Sequence, residues 1–367
     1  MSLNNNEEKI LKLLRDNPYL SQKELASELG LSRPAVANLI SGLTQNGYIL
    51  GKPYVLKTKE YITCIGGANV DYGFKLHNDL VMKTSNPVSE SSSYGGVVRN
   101  VAENLSRLNE DVALMTLIGQ DSTGEQLIND MKHFMNVDAI ERLEGKSTGS
   151  YYAVLNTSGS MAVGFANMAI YNNMDRDWII RHKKQLHQSK WLIADMNMTK
   201  EALEALIEFS NTHDKPLAIV GVSSPKMSHL PNDLKGVKVL ITNRDEALTY
   251  FNKDDDATQD LVQLWLDKGI TNVVITQGEK GAYYGNAKGI HHQPARSINN
   301  HEIKDVTGAG DAFSAATIYG LINNMSLEKS TQYGTVSAAL TIQTLDAVNK
   351  NLSKKRIEKE FDTNDTQ

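Results

Sequence analysis

A short string near the carboxyl end of the chain, residues 305–311 (DVTGAGD), combines small residues with a carboxylate at each end. An apolar helical pattern follows it over residues 312–319. The first turn of a helix presents backbone N–H groups without intrahelical acceptors, and small residues let a ligand approach them closely. The string therefore predicts an anion site beside Asp311, whose carboxylate can accept the proton of an attacking hydroxyl group, as phosphoryl transfer requires. The alternative is that Asp311 only caps the helix.

Two further segments place polar residues beside a glycine or a helix start. Residues 243–246 (NRDE) read by themselves as a helix N-cap, Asn243, with a capping-box partner, Glu246. Residues 276–281 (TQGEKG) follow an apolar strand pattern and predict a turn. A phosphate-binding P-loop would show G-x-x-x-x-G-K-[ST], and this pattern occurs nowhere in the sequence. A P-loop kinase is therefore disfavoured.

Strand and helix patterns alternate around these segments. Strands are predicted at residues 61–65, 112–118, 191–194, 217–220, 237–241 and 273–275, and helices at 98–108 and 200–209. Such alternation favours a largely parallel sheet covered on both faces. Residues 147–169 differ, because two strand patterns flank a polar turn, and they predict a hairpin suited to a lid.

The first 57 residues predict a separate unit of three short helices and a wing. Ser21 and Glu24 form the pattern of a capping box that opens the second helix. Gly30 is placed to end that helix, and Ser32 is placed to cap the third.

Residues 47–56 complete this unit as a predicted two-stranded wing. The segment SQKELASELGLSRPAVANLISGLTQNGYI resembles the winged helix-turn-helix domains of bacterial regulators. That resemblance implies DNA contacts from Ser32, Arg33 and Asn38 at the start of the recognition helix. A helical appendage used for docking or dimerisation is the alternative.

Composition is ordinary for a soluble protein, with 40% hydrophobic and 22% charged residues, and 367 residues favour two folding units. The formal charge of −5 provides no global basic field, so any DNA contact has to be local. A single cysteine, Cys64, excludes an internal disulfide. No signal peptide and no apolar run of about 18 residues is visible, which predicts a cytoplasmic protein without membrane contact.

Two motifs resemble the signatures of the ribokinase (PfkB) family of carbohydrate and nucleoside kinases. Residues 305–311 match its D-x-x-G-A-G-D, and residues 95–102 (GGVVRNVA) match its G-G-x-x-x-N-x-A. The resemblance implies an α/β fold over residues 60–355, namely a ribokinase-like three-layer α/β/α sandwich with a β lid at roughly 72–94 and 147–169. It also implies ATP and Mg²⁺ as cofactors, a small sugar or nucleoside as substrate, and a homodimer.

The resemblance assigns roles to residues by their position in the motifs. Asp311 is the base, and the amides of Gly308, Ala309 and Gly310 form an anion hole. The expected substrate contacts are Asn69, Asp71, Gly95, Gly96 and Asn100. The expected ATP and magnesium contacts are Asn243, Glu246 (through a water on Mg²⁺), Thr276, Gly278 and Gly281. Asp305 and Thr307 match the place where some relatives hold a monovalent cation such as K⁺.

Within the family, the chain looks most similar to pseudouridine kinases. Residues 84–87 (TSNP), 94–100 (YGGVVRN) and 194–197 (ADMN) carry this resemblance. It implies that the 5′-hydroxyl of pseudouridine attacks the γ-phosphate of ATP. The candidate contacts to the uracil ring are Asn167, Thr148 and Tyr152, the last of which could equally pack within the lid.

One departure from that subgroup concerns the end of a central strand. Pseudouridine kinases commonly show D-P-V-S followed by a lysine, whereas residues 220–226 read VGVSSPK, with Gly221 in place of the Asp. Ser223 and Lys226 remain. Two alternatives therefore stay open: a ribokinase-like sugar kinase without base recognition, and a transcriptional regulator that uses the kinase fold as a ligand sensor.

Overall fold

The computed structural model describes residues 3–51 and 60–362, apart from the side chains of residues 300 and 362. The chain divides between Glu60 and Tyr61 into two compact units, which are described separately. Among the described residues, no helix combines the length and the apolar character needed to cross a membrane.

The first unit is helical, with α1 (Asn5–Asp16), α2 (Gln22–Leu29) and α3 (Arg33–Gln45). The predicted capping box is confirmed, because Ser21 Oγ accepts from the Glu24 N–H at 3.3 Å and the Ser21 N–H donates to Glu24 Oε2 at 2.7 Å. Gly30 ends α2 with a φ of 63°, a left-handed conformation that suits glycine. Ser32 caps α3, as predicted.

Apolar side chains from all three helices pack into one small core. Its fully buried members are Ile10, Leu14, Leu25, Val36 and Leu43. Of the predicted wing, residues 47–51 contain one bridging residue, Ile49, and residues 52–56 lie outside the described part of the chain.

The second unit is built from strands and helices in alternation. In chain order its elements are β1 (Tyr61–Ile65), β2 (Asn69–Leu76), β3 (Val88–Gly95), α4 (Val97–Arg107), β4 (Val112–Met115), β5 (Leu117–Gly119), α5 (Ser122–Met131), β6 (Glu141–Leu143), β7 (Ser150–Leu155), β8 (Met161–Asn167), α6 (Arg176–Arg181), α7 (Lys183–His187), β9 (Ser189–Asp195), α8 (Lys200–Thr212), β10 (Leu217–Val220), β11 (Val239–Asn243), α9 (Arg244–Phe251), α10 (Thr258–Asp267), β12 (Asn272–Thr276), β13 (Ala282–Asn286), β14 (Gly289–Gln293), α11 (Ala309–Ile322), α12 (Leu327–Thr341) and α13 (Lys354–Asp362).

Eight strands form the main sheet in the order β14-β13-β12-β11-β10-β9-β1-β4. The pairs from β12 to β4 are parallel, and β13 and β14 add an antiparallel edge. The strand predicted at 112–118 is divided at Thr116, because β5 leaves the main sheet and pairs with β6.

The main sheet separates two hydrophobic cores, because successive strand residues point to opposite faces. Ile62 and Cys64 of β1 join the core beneath α4, α11 and α12. Ile65 joins the other core, which packs against α6, α8 and α10. The expected three-layer α/β/α arrangement is thus confirmed.

A second, four-stranded sheet has the order β3-β2-β7-β8. The lid ranges predicted at 72–94 and 147–169 cover much of these strands, and β7 and β8 form the predicted hairpin. Many of its side chains are exposed, especially along β3 and β8. This sheet meets the main sheet near Asn69, which begins β2 a few residues after β1 ends.

Candidate active site

The carboxyl ends of the parallel strands bring the predicted residues Asn243 and Thr276 to one edge of the main sheet, together with Asp195, which had no predicted role. Asp195 ends β9, Asn243 ends β11 and Thr276 ends β12. In open α/β sheets, ligands bind outside the carboxyl ends of the strands. The start of α11, with Asp311 in its first turn, faces the same region.

Asp311 is held by a direct hydrogen bond from another predicted site residue. Asn100 Nδ2 donates to Asp311 Oδ2 at 2.8 Å. The pKa of Asp311 is raised to about 7, chiefly by burial and in addition by the nearby negative charges of Asp195 and Asp71, while Asn100 and Arg99 oppose the rise. A carboxylate whose pKa lies near neutrality can both accept and release a proton at that pH, which suits a general base.

A second carboxylate, Asp71, lies close enough to affect Asp311 electrostatically. Asn69 Nδ2 donates to Asp71 Oδ1 at 2.6 Å, and burial raises the pKa of Asp71 to about 6. A side chain at Gly95 would collide with the Asp71 carboxylate, and one at Gly96 (φ 103°) would collide with the backbone. The first glycine of the G-G-x-x-x-N motif is therefore explained by its close contact with Asp71, and the second by its close contact with the backbone of Gly67 and Ala68.

A buried arginine supports this arrangement from within α4. Arg99 Nη1 donates to Asn100 Oδ1 at 3.1 Å, which leaves the amide NH₂ of Asn100 directed at Asp311. Arg99 Nη2 also contacts Glu103 at 2.6 Å and Asp130 at 2.9 Å. A continuous chain of charged hydrogen bonds thus runs from Asp130 to the candidate base.

Replacing Arg99 by methionine is expected to lower kcat by about 10–10²-fold, because Asn100 loses the contact that orients it. The pKa of Asp311 should rise, because the positive charge that lowers it is removed. The acid limb of the pH–rate profile should consequently move to higher pH. Arg99→Lys keeps the positive charge but lacks the forked geometry of the guanidinium group, so its acid limb should shift less than that of Arg99→Met. An unchanged pH profile in Arg99→Met would show that Arg99 only stabilises the fold.

The anion hole predicted at the start of α11 is only partly open. Gly308 adopts a φ of 77° and caps the helix, and the Ala309 N–H donates to Val306 O at 3.2 Å. A side chain at Gly308 would collide with the carbonyl of Ala347, whereas one at Gly310 would meet nothing within 4 Å. Gly308 is thus required by the fold, and Gly310 faces open space that a ligand can fill.

These two glycines offer a matched pair of variants. Gly308→Ala should lower the free energy of unfolding by about 2 kcal/mol or more, because it forces a left-handed residue against a backbone carbonyl. Gly310→Ala should leave it within about 1 kcal/mol, yet strongly reduce turnover, because the new methyl group occupies the ligand's space. Denaturant unfolding and a phosphoryl-transfer assay separate the two effects. Full activity in Gly310→Ala would contradict an anion site at this turn.

The lid does not bring all predicted substrate contacts to Asp71. Asp71 pairs with Tyr151, so these two side chains share a face of the lid sheet. Tyr152 lies on the opposite face, where its ring stacks on Tyr72 with 5.1 Å between centroids. Asn167 is exposed and pairs with Ser150, which also places it on the face opposite Asp71.

The third candidate for contact with the uracil ring is occupied by other partners. Thr148 is buried, its hydroxyl donates to Asp121 Oδ1 at 2.6 Å, and it accepts from the Gly119 N–H at 3.0 Å. Thr148 therefore fixes the loop that enters β7.

Comparison with known proteins assigns the family. A model of the pfkB family of carbohydrate kinases matches residues 59–354, and a model of winged helix-turn-helix DNA-binding domains matches residues 3–49. The chain belongs to the pfkB family of carbohydrate kinases. The second unit of this PfkB-family protein is therefore a phosphotransferase, as the signatures predicted.

Relatives of this PfkB-family chain include two proteins of Escherichia coli. The protein described as the uncharacterized sugar kinase YeiI is 28% identical over 343 residues, which cover 92% of this chain and 94% of YeiI. A pseudouridine kinase is 29% identical over 294 residues, covering 78% of this chain and 93% of that enzyme. Among solved structures, a carbohydrate kinase from Agrobacterium tumefaciens is 27% identical with a TM-score of 0.70, covering 82% of this chain and 96% of that one.

In the PfkB-family unit, Asn243 and Glu246 form the capping box that their spacing predicts. Asn243 Oδ1 accepts from the Glu246 N–H at 2.8 Å, and the Asn243 N–H donates to Glu246 Oε2 at 2.9 Å. Glu246 is buried, and burial raises its pKa. Within the described part of the chain Glu246 Oε1 accepts no hydrogen bond, so the pair fits a Mg²⁺ ion that keeps its own waters. A bound Mg²⁺ would neutralise phosphate charge.

Gly221 lies against this carboxylate. A side chain at Gly221 would collide with Glu246 Oε2. The glycine that departs from the pseudouridine-kinase pattern therefore makes room for Glu246, whose carboxylate comes from the first turn of α9.

The remaining predicted contacts lie at turns. Gly278 (φ 57°) has open space where a side chain would be, and Gly281 (φ 86°) packs against the backbone of residue 293. Asp305 Oδ1 accepts from the Thr307 N–H at 2.9 Å and from its hydroxyl at 2.8 Å, so this carboxylate closes a local turn. A monovalent cation at this turn stays a prediction.

In the first unit, the predicted DNA contacts lie at the start of α3. Arg33 and Asn38 are exposed. Ser32 Oγ accepts from the Ala35 N–H at 3.3 Å, so its oxygen caps the helix. Arg33 and Asn38 are therefore the residues of this set whose side chains are free to reach a partner.

The sequence reasoning gave no role to Asp195, although it named the segment that contains it. Asp195 is fully buried and accepts hydrogen bonds from the backbone N–H groups of Gly67, Val98 and Asn197. The sequence did contain a signal for this residue, because Asp195 directly follows the apolar residues 191–194 of a predicted strand in a parallel sheet. Lys226, half-buried near Asp195, has its pKa lowered by burial.

Proposed function

We propose that the second unit transfers the γ-phosphoryl group of ATP to the 5′-hydroxyl of a nucleoside, with pseudouridine as the favoured substrate. The observation that carries the proposal is the Asn100–Asp311 hydrogen bond at the partly open start of α11, with Asp71 beside it. Asp311 accepts the hydroxyl proton, and the amide of Gly310 faces the transferring phosphoryl group. Asp71 and Asn69 bind vicinal sugar hydroxyls.

ATP and Mg²⁺ are assigned to the neighbouring strand ends. Glu246 orients a water on Mg²⁺, and Asn243 lies beside it. The turn at Gly278 leaves space for the nucleotide. The similarity to the Escherichia coli pseudouridine kinase, together with residues 94–100 and 194–197, favours pseudouridine over a free sugar.

A substrate panel tests the proposal directly. Phosphate transfer from ATP should be measured with pseudouridine, uridine, adenosine, ribose and fructose 6-phosphate. We expect the highest kcat/KM with pseudouridine. Equal activity with ribose would favour the sugar-kinase alternative, to which the similarity with YeiI points. Turnover of none of the five would contradict the proposal.

A second function is favoured by the first unit, whose sequence matches winged helix-turn-helix DNA-binding domains. We propose that Arg33 and Asn38 contact DNA. The full chain should bind duplex DNA with an affinity that falls steeply with salt, and Arg33→Ala should weaken it. Fluorescence anisotropy measures both. No binding at low salt would contradict a DNA-binding role.

We propose a homodimer that forms through the lid, as the resemblance to the family implies. Phe165, with 58% of its surface exposed, and Met161, with 60%, are large apolar side chains left open there. Light scattering coupled to size exclusion should give twice the chain mass of 40.6 kDa. A monomer at micromolar concentration would contradict it.

A further inference from the structure

The lid sheet is joined to the rest of the second unit by four connections. The chain enters the lid through residues 66–68, before β2, and through residues 144–149, before β7. It leaves through Gly96, after β3, and through Met168, after β8. Each sheet is held by its own strand pairing, so a lid that moves relative to the main sheet has to bend in these connections.

A buried tyrosine, Tyr171, binds the first of these connections to the last. Tyr171 belongs to the short helical turn Ala169–Asn173 that follows β8, and its side chain is fully buried. Its hydroxyl accepts from the Ala68 N–H at 3.0 Å and donates to Ala68 O at 2.5 Å. A hydroxyl group can donate and accept at once, so this one holds both polar groups of the Ala68 backbone.

The other two connections pack against the same point. A side chain at Gly149 would come within 2.5 Å of the Tyr171 hydroxyl, and one at Gly96 would collide with the backbone of residues 67–68. The Val70 N–H also donates to Gly149 O at 3.0 Å, which ties the start of β2 to the connection before β7. The four connections therefore meet around one buried hydroxyl group.

This hydroxyl lies close to the residues that are proposed to bind the sugar. Ala68 directly precedes Asn69, and Asp71 follows two residues later on β2. Burial raises the pKa of Tyr171, and the nearby negative charges of Asp195 and Asp71 act in the same direction. The hydroxyl therefore stays protonated around neutral pH and keeps donating to Ala68 O.

We propose that the Tyr171 hydroxyl anchors the lid sheet and thereby positions Asn69 and Asp71 for the nucleoside. Tyr171 acts through Ala68, so it is a positioning residue. Its effect on substrate affinity rests on the proposed function, whereas its anchoring of the lid does not. Asp311 and the strand ends assigned to ATP are not bonded to Tyr171, so loss of the anchor should act mainly on the nucleoside.

Two tyrosine variants test this role by enzyme kinetics. Tyr171→Phe removes only the hydroxyl group and keeps the buried ring. Tyr250→Phe is the matched control, because the Tyr250 hydroxyl also donates to a backbone carbonyl, Pro231 O at 3.0 Å, outside the lid. With the nucleoside that the substrate panel identifies, Tyr171→Phe should raise KM about tenfold and leave KM for ATP within about twofold. Tyr250→Phe should change neither.

Hydrogen–deuterium exchange of the unliganded chain tests the anchor without any activity. The Val70 N–H keeps its acceptor in Tyr171→Phe, so faster exchange there reports a looser connection. We expect peptides that cover Val70 to exchange about tenfold faster in Tyr171→Phe than in the parent or in Tyr250→Phe. Peptides from residues 312–320 of α11 report any loss of global stability, and the increase at Val70 should exceed theirs.

A second variant reaches the same hydroxyl from the lid side. The methyl group of Gly149→Ala would displace the Tyr171 hydroxyl without removing it, so this variant should also raise KM for the nucleoside. It takes the place of Tyr171→Phe if that variant does not fold.

An unchanged nucleoside KM, unchanged exchange at Val70, or equal effects in Tyr250→Phe would each overturn the proposal. If no substrate in the panel is turned over, the proposed function fails, and the exchange comparison still decides whether Tyr171 anchors the lid.

Discussion

Asp311→Asn is expected to lower kcat by about 10²–10⁴-fold while substrate and ATP still bind. Asparagine keeps the size of the side chain and its contact with Asn100, but it cannot accept a proton from the attacking hydroxyl. Single-turnover kinetics and calorimetric titration separate the chemical step from binding. A variant that retains its turnover would show that Asp311 is not the base.

The pH dependence of the parent enzyme follows from the same residue. Because the pKa of Asp311 lies at about 7, activity should rise with pH up to that value as the carboxylate ionises. Asp305→Asn is a matched control at the other end of the motif. Asp305→Asn should keep this dependence of activity on pH. Any activity that it loses should reflect a changed dependence on monovalent cations.

Stability should respond to pH in the opposite sense. The pKa of Asp311 is raised from 3.8 to about 7 on folding, so the folded protein binds this proton more tightly than the unfolded chain between those values. The contribution of Asp311 to the free energy of unfolding therefore falls as pH rises through that window. Asp311→Asn should thus have a higher Tm than the parent at pH 8, and no such advantage below pH 4.

The second large effect is expected at Asp195. Its carboxylate accepts from the Gly67 N–H at 3.0 Å, the Val98 N–H at 3.2 Å, and the Asn197 N–H at 2.9 Å and Nδ2 at 3.0 Å. Asp195→Ala leaves these buried donors without an acceptor, which costs about 1–3 kcal/mol for each unsatisfied group. We expect the free energy of unfolding to fall by about 3–5 kcal/mol.

The same replacement should impair substrate binding, because Asp195 ties the loop after β1 to the start of α4. Those two segments carry Asn69 and Asn100. KM for the nucleoside should therefore rise in Asp195→Ala even at temperatures where the variant is folded. Asp177→Ala removes an exposed carboxylate from α6 and should change stability by no more than about 0.5 kcal/mol. Equal unfolding midpoints for the two variants would contradict this role of Asp195.

Motif spacing could predict the local structure around the candidate site residues, because these residues lie at element boundaries, where local rules are strong. The capping box at Asn243 and Glu246 and the helix start before Asp311 are both determined within a few residues of sequence. The alternation of strands and helices then predicts the parallel sheet, and a parallel sheet brings the carboxyl ends of its strands to one edge. Asn100 lies far from Asp311 in the sequence, so only the family resemblance could predict that the two residues belong to the same site.

What the sequence could not predict depends on contacts between distant segments. The division of residues 112–118 at Thr116 depends on the pairing of β5 with β6. The face on which Tyr152 lies depends on the register between β2 and β7, because a shift of one residue would reverse it. The reason for Gly221 likewise appears only when Glu246 is placed beside it.

The position of Asp311 at the start of α11 has a consequence for the timescale on which the site is assembled. Residues 312–320 of α11 are buried throughout, so their amides should exchange with deuterium only when the whole unit unfolds. The exposed strands β3 and β8 should exchange much faster. We therefore expect the half of the site on α11 to stay in place while ligands enter and leave, and we expect the accompanying motion to occur in the lid sheet, which carries Asp71.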